Sequence, residues 1–151
     1  MRVWRISRKI YPPLDGEGAR INGARWNTAG RRVAYTAGSL SLAIIELLVH
    51  TDPDLIPDDL AAHEIEIPDS VSRRVVRLGE LRRGWDSHDD LSVCQAIGDE
   101  WVGRGADCVL VVPSAIVPVE FNYLVNPAHP EATQVSVTST VPFAFDPRLL
   151  W

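Results

Sequence analysis

Short apolar segments, separated by stretches rich in proline, glycine and aspartate, run through the whole of this sequence. Most of them have the length or the alternating pattern of β-strands. We expect strands at residues 2–6, 33–36, 63–67, 73–78, 107–112, 117–125 and 134–143. Only two stretches predict longer helices, residues 40–50, which Ser39 can cap, and residues 91–104. A few helices among scattered strands predict an α+β fold.

The chain is long enough for one domain and for little more. It has 151 residues, of which 46% are hydrophobic and 23% charged, as in ordinary globular proteins. We expect a single domain over residues 1–151, with a loop-rich stretch at 11–32 that includes a short strand at 24–26. No apolar run approaches the about 20 residues that span a membrane, and the first residues lack the apolar core of a secretory signal. These features predict a cytoplasmic protein without a membrane partner.

The charges are divided unevenly along the chain. Residues 1–50 hold eight Arg or Lys and three Asp or Glu, a net charge of +5, whereas residues 51–151 hold seven and seventeen, a net charge of −10. This balance argues against a protein that binds nucleic acid directly. The basic part can hold a small anion such as a pyrophosphate, or the two parts can simply neutralise each other within one fold.

Metal and disulfide chemistry find little support in the sequence. The two cysteines, Cys94 and Cys108, are far apart and belong to no ligand motif, and the four histidines have no metal-ligand spacing. We therefore expect neither a disulfide framework nor a metal site.

Glu46 is the most unusual polar residue of the chain. It is the only formally charged residue between Val33 and Thr51, and it lies within a predicted helix that is apolar on nearly every face and is therefore expected to be buried. A lone buried carboxylate is costly unless something pairs with it. It can form a structural ion pair with a nearby arginine, or it can be a catalytic or ligand-binding carboxylate.

Three further residues are candidates for a site. Arg25 lies in a glycine-rich loop, and its planar guanidinium can bind a phosphate or a carboxylate with two hydrogen bonds. Tyr35 lies in a short buried strand, where core packing is the simpler role and its hydroxyl needs a partner. Ser114 follows a strand and a proline, a position typical of a turn or cap residue.

Taken together, the segments resemble the RES domain family, which is named for an arginine, a glutamate and a serine. The resemblance covers almost the full chain and depends on the order and spacing of short motifs rather than on any one of them. The motifs are VWRI at 3–6, NGARWNTAG at 22–30, VAYTA at 33–37, LAIIELLVH at 42–50, VPSAIVP at 112–118, NYLVNP at 122–127 and PFAFDPRL at 142–149.

The resemblance implies an ADP-ribosyltransferase-like fold, with two small β-sheets around an NAD-binding cleft. It implies a bacterial toxin that uses NAD⁺ as substrate, without a metal, and cleaves the bond between nicotinamide and ribose. It also implies an Xre-like antitoxin as partner, so that any contact with nucleic acid is made through the antitoxin.

The resemblance also assigns roles to residues. Arg25, Glu46 and Ser114 correspond to the three residues of the family name, and Tyr35 corresponds to a tyrosine of the cleft. The implied catalytic residues are Glu46 and Arg25, and the implied NAD⁺-binding residues are Arg25, Tyr35, Ser114 and Asn122. This assignment reverses the structural interpretation that Glu46 and Tyr35 receive when each is considered alone.

The acceptor of the ADP-ribose is left open. A protein side chain as acceptor gives mono-ADP-ribosylation, for which an enzyme of nucleotide biosynthesis is one candidate target, whereas water or phosphate gives depletion of NAD⁺. The alternative from a different class is a non-catalytic component of the antitoxin complex.

Overall fold

The computed structural model describes residues 1–150, so that Trp151, the end of the expected domain, lies outside it. Seven strands are present: β1 (Arg2–Arg8), β2 (Ala34–Ala37), β3 (Leu60–Glu66), β4 (Arg73–Val75), β5 (Val109–Pro113), β6 (Phe121–Val125) and β7 (Ser136–Pro142). The α-helices are α1 (Glu17–Asn22), α2 (Leu40–Leu48) and α3 (Ser92–Arg104). The predicted α+β class is confirmed. Within residues 1–150, no helix has the length and apolar character needed to cross a membrane.

All seven strands belong to one sheet, in the order β4-β5-β6-β2-β1-β3-β7. The prediction of two small sheets is therefore wrong, and the reason lies in the pairing of β1 with β2. These strands share a single residue pair, Trp4 with Ala37, whereas β1 pairs with β3 over its whole length. One bridge keeps the hydrogen bonding continuous, so that two halves joined at a single residue pair make up one sheet.

Strand β5, which lies next to the edge strand β4, is buried on both faces. Val109 and Val111 of β5 pack into one hydrophobic cluster, and Leu110 and Val112 pack into another on the opposite face. A run of four apolar residues is what a strand covered on both sides requires. Helix α3 closes the second cluster, to which its residue Trp101 contributes.

Helix α2 begins as predicted but is less buried than predicted. The Ser39 hydroxyl accepts a hydrogen bond from the Leu42 N–H at 3.1 Å and so caps the helix. Leu42 and Ala43 are buried, whereas Ile45 and Val49 are exposed. Apolar residues on every face predict burial on every face, but α2 packs through one face and leaves the opposite face to solvent.

The loop-rich stretch contains a short helix that the sequence pattern does not predict. Gly16 precedes α1 in the left-handed conformation, with φ of 69°, and a Cβ on this residue would lie 2.6 Å from the Val33 nitrogen. The suggested strand at 24–26 is wrong, because Ala24 and Asn27 form an isolated bridge that closes a tight turn. This turn presents the side chain of Arg25.

A carboxylate–serine contact joins two segments at the β4 end of the sheet. Ser72 donates two hydrogen bonds to Glu131, from its backbone N–H and its hydroxyl, and these bonds lower the pKa of Glu131 below its ordinary value. A carboxyl whose pKa is depressed by folding stabilises the protein above its unfolded pKa, and this contribution is lost as the pH falls through the folded pKa.

We therefore predict that the free energy of unfolding declines less steeply below pH 4.5 in Glu131→Gln than in the unaltered protein. Urea unfolding at a series of acidic pH values measures the two slopes. Identical slopes would show that the Ser72–Glu131 contact makes no pH-dependent contribution to stability.

Candidate active site

An open cavity of about 280 Å³ lies where the two halves of the sheet meet. Its walls come from β1, β2, β6 and α2 and from the turn that carries Arg25. Arg25, Tyr35, Glu46 and Asn122 all line it, and Ser114 lies directly behind Glu46. The structure thus brings together all five residues that the sequence singles out.

Two hydrogen bonds to the same oxygen hold the Glu46 side chain. Its Oε1 accepts from the Ser114 hydroxyl at 2.8 Å and from Asn122 Nδ2 at 2.7 Å. Among residues 1–150 no arginine, lysine or histidine forms an ion pair with Glu46, so the interpretation as half of a structural ion pair is wrong. The carboxylate is therefore held in place by neutral donors, and no cationic side chain of the described residues pairs with it.

Ser114 combines a structural contact with a contact to the site. Its fully buried hydroxyl accepts hydrogen bonds from the backbone N–H groups of Ile116 and Val117 and donates its own hydrogen to Glu46. The predicted turn role is confirmed by the first two bonds. These three hydrogen bonds use the full hydrogen-bonding capacity of the hydroxyl. Ser114 therefore orients Glu46 from behind the cavity wall.

Tyr35 ties the Arg25 turn to the sheet. Its hydroxyl donates to Asn27 Oδ1 at 2.6 Å and accepts from the backbone N–H of Trp26 at 3.1 Å. Burial raises the pKa of the Tyr35 hydroxyl, which therefore stays neutral and keeps its proton as a donor. The hydroxyl is thus satisfied within the protein, and the side chain still borders the cavity.

Arg25 is positioned by backbone carbonyls rather than by an acidic side chain. Its Nη1 donates to the carbonyl oxygens of Trp85 and Ser87, each at 3.0 Å. Arg25 and Glu46 line the same cavity without pairing with each other, although a pairing would have eased the burial of Glu46. In the described part of the chain no carboxylate forms an ion pair with Arg25.

Arg5 is the site residue that the sequence analysis misses. It lies on β1, lines the cavity and donates from Nη1 to the Tyr35 carbonyl at 2.9 Å. Its Nε is buried without a hydrogen-bond partner in residues 1–150, and burial lowers the pKa of Arg5, an effect that Asp15 partly offsets. A buried donor without a partner is costly. The signal in the sequence was one arginine within the apolar segment VWRI.

Helix α3 holds the Arg25 turn from the side opposite to the cavity. Asp99 accepts hydrogen bonds from the backbone N–H and the hydroxyl of Thr28, and Gln95 Nε2 donates to the Ala24 carbonyl at 3.1 Å. Between them, Gly98 lies so close to Trp26 that an added Cβ would meet the Trp26 carbonyl oxygen. The position of Arg25 thus depends on a helix far away in the sequence.

The charges of the cavity suit a ligand that carries both signs. Two guanidinium groups, Arg5 and Arg25, can attract a phosphate, while the fixed Glu46 carboxylate can stabilise a positive centre. Within residues 1–150 no group of three or more His, Cys, Asp or Glu side chains could hold a metal ion.

The sequence profile of the RES domain family matches residues 2–146. This chain belongs to the RES domain family. The resemblance seen in the sequence is therefore confirmed.

Two relatives match this RES domain over nearly all of both chains. The "Prs ADP-ribosylating toxin" of Sphingobium sp. (strain YBL2) is 39% identical over 153 residues, which cover 97% of this chain and 95% of that protein. The "Toxin Res" of Pseudomonas putida (strain KT2440) is 38% identical over 139 residues, which cover 91% and 92%.

The fold of this RES domain is similar to that of a solved structure. A chain in the crystal structure of the M. tuberculosis MbcT–MbcA toxin–antitoxin complex superposes with a TM-score of 0.78, over 95% of this chain and 84% of that chain. The two share 21% sequence identity, so the similarity concerns the fold.

Proposed function

We propose that this RES-family protein is a toxin that binds NAD⁺ in the cleft, cleaves the bond between nicotinamide and ribose, and transfers the ADP-ribose to an acceptor. The observation that carries this proposal is the Glu46 carboxylate, held by Ser114 and Asn122 in a cavity that also contains two arginines. The names of the relatives, which include an ADP-ribosylating toxin, support it.

In the proposed reaction the bond between the ribose C1′ and the nicotinamide nitrogen breaks. Nicotinamide takes the electron pair and leaves as a neutral molecule, and positive charge develops at the ribose carbon. The Glu46 carboxylate stabilises this oxocarbenium-like state, as carboxylates do in glycosidases. An acceptor oxygen then attacks C1′ and releases its proton to water. Ser114 and Asn122 keep the carboxylate oriented without neutralising its charge.

The remaining cavity residues act on binding. Arg25 and Arg5 bind the negatively charged pyrophosphate, for which planar guanidinium groups are well suited. The ring of Tyr35 packs against the cationic nicotinamide, which favours contact with an aromatic face. In this proposal Ser114 does not contact NAD⁺ and contributes to binding only by orienting Glu46.

A protein side chain is the acceptor that we propose. The relative from Sphingobium is named for ADP-ribosylation of Prs, and it aligns with almost the whole of this chain. Transfer to water or phosphate, which would deplete NAD⁺, is the second candidate, because the cleft is open to solvent.

Mass spectrometry of the purified protein with NAD⁺ and the Prs protein of the same cell distinguishes these outcomes. We expect a mass increase of one ADP-ribose on Prs together with release of nicotinamide. Free ADP-ribose, or its phosphorylated form, without modified Prs would identify NAD⁺ depletion instead. If no NAD⁺ were consumed, with or without Prs, the protein would be a non-catalytic component of an antitoxin complex.

We further propose a cytoplasmic protein with an ADP-ribosyltransferase-like fold and an Xre-like antitoxin as partner. The fold is shared with a chain of a toxin–antitoxin complex, which supports such a partner. The open cleft, which contains the Arg25 guanidinium, offers an acidic segment of the antitoxin a place to bind. Co-expression with an Xre-like protein of the same cell, followed by size exclusion and an NAD⁺ assay, should show a complex without NAD⁺ turnover.

A further inference from the structure

A second cavity, of about 440 Å³, adjoins the first. Leu47 and His50 line both cavities, so the two adjoin at the end of α2, and we refer to them together as the groove. Arg5 lines the first cavity and Ser7 the second, and residues two apart on a strand point to the same side. The groove therefore runs along β1, with the end of α2 as its other wall.

The size of the first cavity limits what it can hold. Its volume of about 280 Å³ lies just below the range of roughly 300–1,000 Å³ that is usual for small-molecule pockets. A dinucleotide is large for that range, so the first cavity has room for one of its halves. With the reacting ribose beside Glu46, that half is the nicotinamide riboside, and the pyrophosphate then lies near Arg5, at the entrance to the second cavity.

We infer that the second cavity binds the adenosine half of NAD⁺, an inference that depends on the proposed function. Its wall contains Leu55, a leucine that is 75% exposed, at the mouth of the groove. A flat apolar adenine ring would cover this side chain and remove it from water. The opposite wall contains Ser7, whose hydroxyl is held by His63 at 3.2 Å.

The charges of the second cavity favour a ribose without a phosphate. Arg8, the one cationic guanidinium in its wall, is engaged by Asp59 at 2.8 Å. Asp52 also lines the wall, with Oδ1 accepting from the backbone N–H of Asp54, and a carboxylate can bind ribose hydroxyls but repels a 2′-phosphate. The site is therefore expected to prefer NAD⁺ to NADP⁺.

Inhibition of NAD⁺ cleavage by AMP and by nicotinamide probes the two cavities separately. We expect Leu55→Glu to weaken inhibition by AMP about tenfold, the size of effect that one apolar contact in a pocket produces, to raise the KM for NAD⁺, and to leave inhibition by nicotinamide unchanged. The matched control is Leu78→Glu, because Leu78 is also an exposed leucine in a 3₁₀ turn and lies outside both cavities. The control should change neither inhibition constant.

Unchanged AMP inhibition in Leu55→Glu would overturn the inference while leaving the proposed function intact, since NAD⁺ would still be cleaved. Failure of the proposed function has a different signature, because the unaltered protein would then not cleave NAD⁺ at all. In that case, calorimetry with AMP alone still tests the second cavity. Loss of AMP binding in Leu55→Glu but not in Leu78→Glu would support binding of adenosine there.

Asp52→Asn, which retains a capping side chain, should narrow the preference for NAD⁺ over NADP⁺, and an unchanged preference would overturn the role of Asp52.

Discussion

Replacing Glu46 by glutamine should reduce NAD⁺ cleavage by about 10²–10³-fold, the effect of removing one fixed group that stabilises a charged transition state. Glutamine has the same shape and keeps one oxygen that can accept from Ser114 and Asn122. The fold and the contacts of the side chain should therefore persist while the negative charge is lost. The KM for NAD⁺ should change much less than kcat, because the charge acts mainly on the developing positive centre.

The matched control is Glu100→Gln, since Glu100 is an exposed helical glutamate that pairs with Arg104 far from the cleft. Both variants should unfold at nearly the temperature of the unaltered protein. If folded Glu46→Gln cleaved NAD⁺ at the rate of the unaltered protein, Glu46 would have no part in the chemistry. If Glu100→Gln reduced NAD⁺ cleavage as much as Glu46→Gln, the effect would come from the change in net charge and not from the position of Glu46.

Replacing Gly98 by alanine should destabilise the protein by about 3 kcal/mol, at the upper end of the usual cost of overpacking. A Cβ at this position would lie 1.6 Å from the carbonyl oxygen of Trp26, which is backbone and cannot move aside as a flexible side chain could. Either helix α3 or the turn must shift. Because Arg25 precedes Trp26 in that turn, NAD⁺ turnover should fall as well.

The same helix contains its own control. A Cβ at Gly103 would have its nearest neighbour, Arg31 Nη1, at 3.8 Å, which is ordinary van der Waals contact. Gly103→Ala should therefore stabilise the protein by about 0.5–1 kcal/mol through helix propensity. The free energy of unfolding, measured with a denaturant, should fall in Gly98→Ala and rise in Gly103→Ala. A rise in Gly98→Ala would contradict the close packing of α3 on the turn.

Local patterns in the sequence determined the order of most elements. Alternation and apolar runs identified strands near their observed positions, and Ser39 marked the start of α2, because these signals depend on neighbouring residues only. The same locality explains the misses. Helix α1 is short and lies among glycines, and the sequence of α2, apolar on nearly every face with Glu46 as its one charged residue, does not reveal that one face of the helix stays exposed.

The sequence also named the main residues of the site, but only the resemblance to the RES family assigned their roles. Considered singly, Glu46 suits an ion pair as well as it suits catalysis, and no local pattern decides between them. The tertiary structure removed the ion-pair alternative, because Ser114 and Asn122, which carry no charge, are the residues that reach Glu46, across 68 and 76 residues of sequence. Strand register, which is a property of the whole sheet, makes that meeting possible.

Arg5 and the groove were likewise decided by tertiary structure. An arginine in an apolar strand has no assignable role until the strand opposite it is known, and the cavity that Arg5 lines lies beside the single Trp4–Ala37 pair that joins β1 to β2. Cavities arise from the spaces that packed elements leave between them, and such spaces have no local sequence signal. The sequence by itself thus determined the elements and the family, whereas long-range packing decided which side chains face one another and what they can bind.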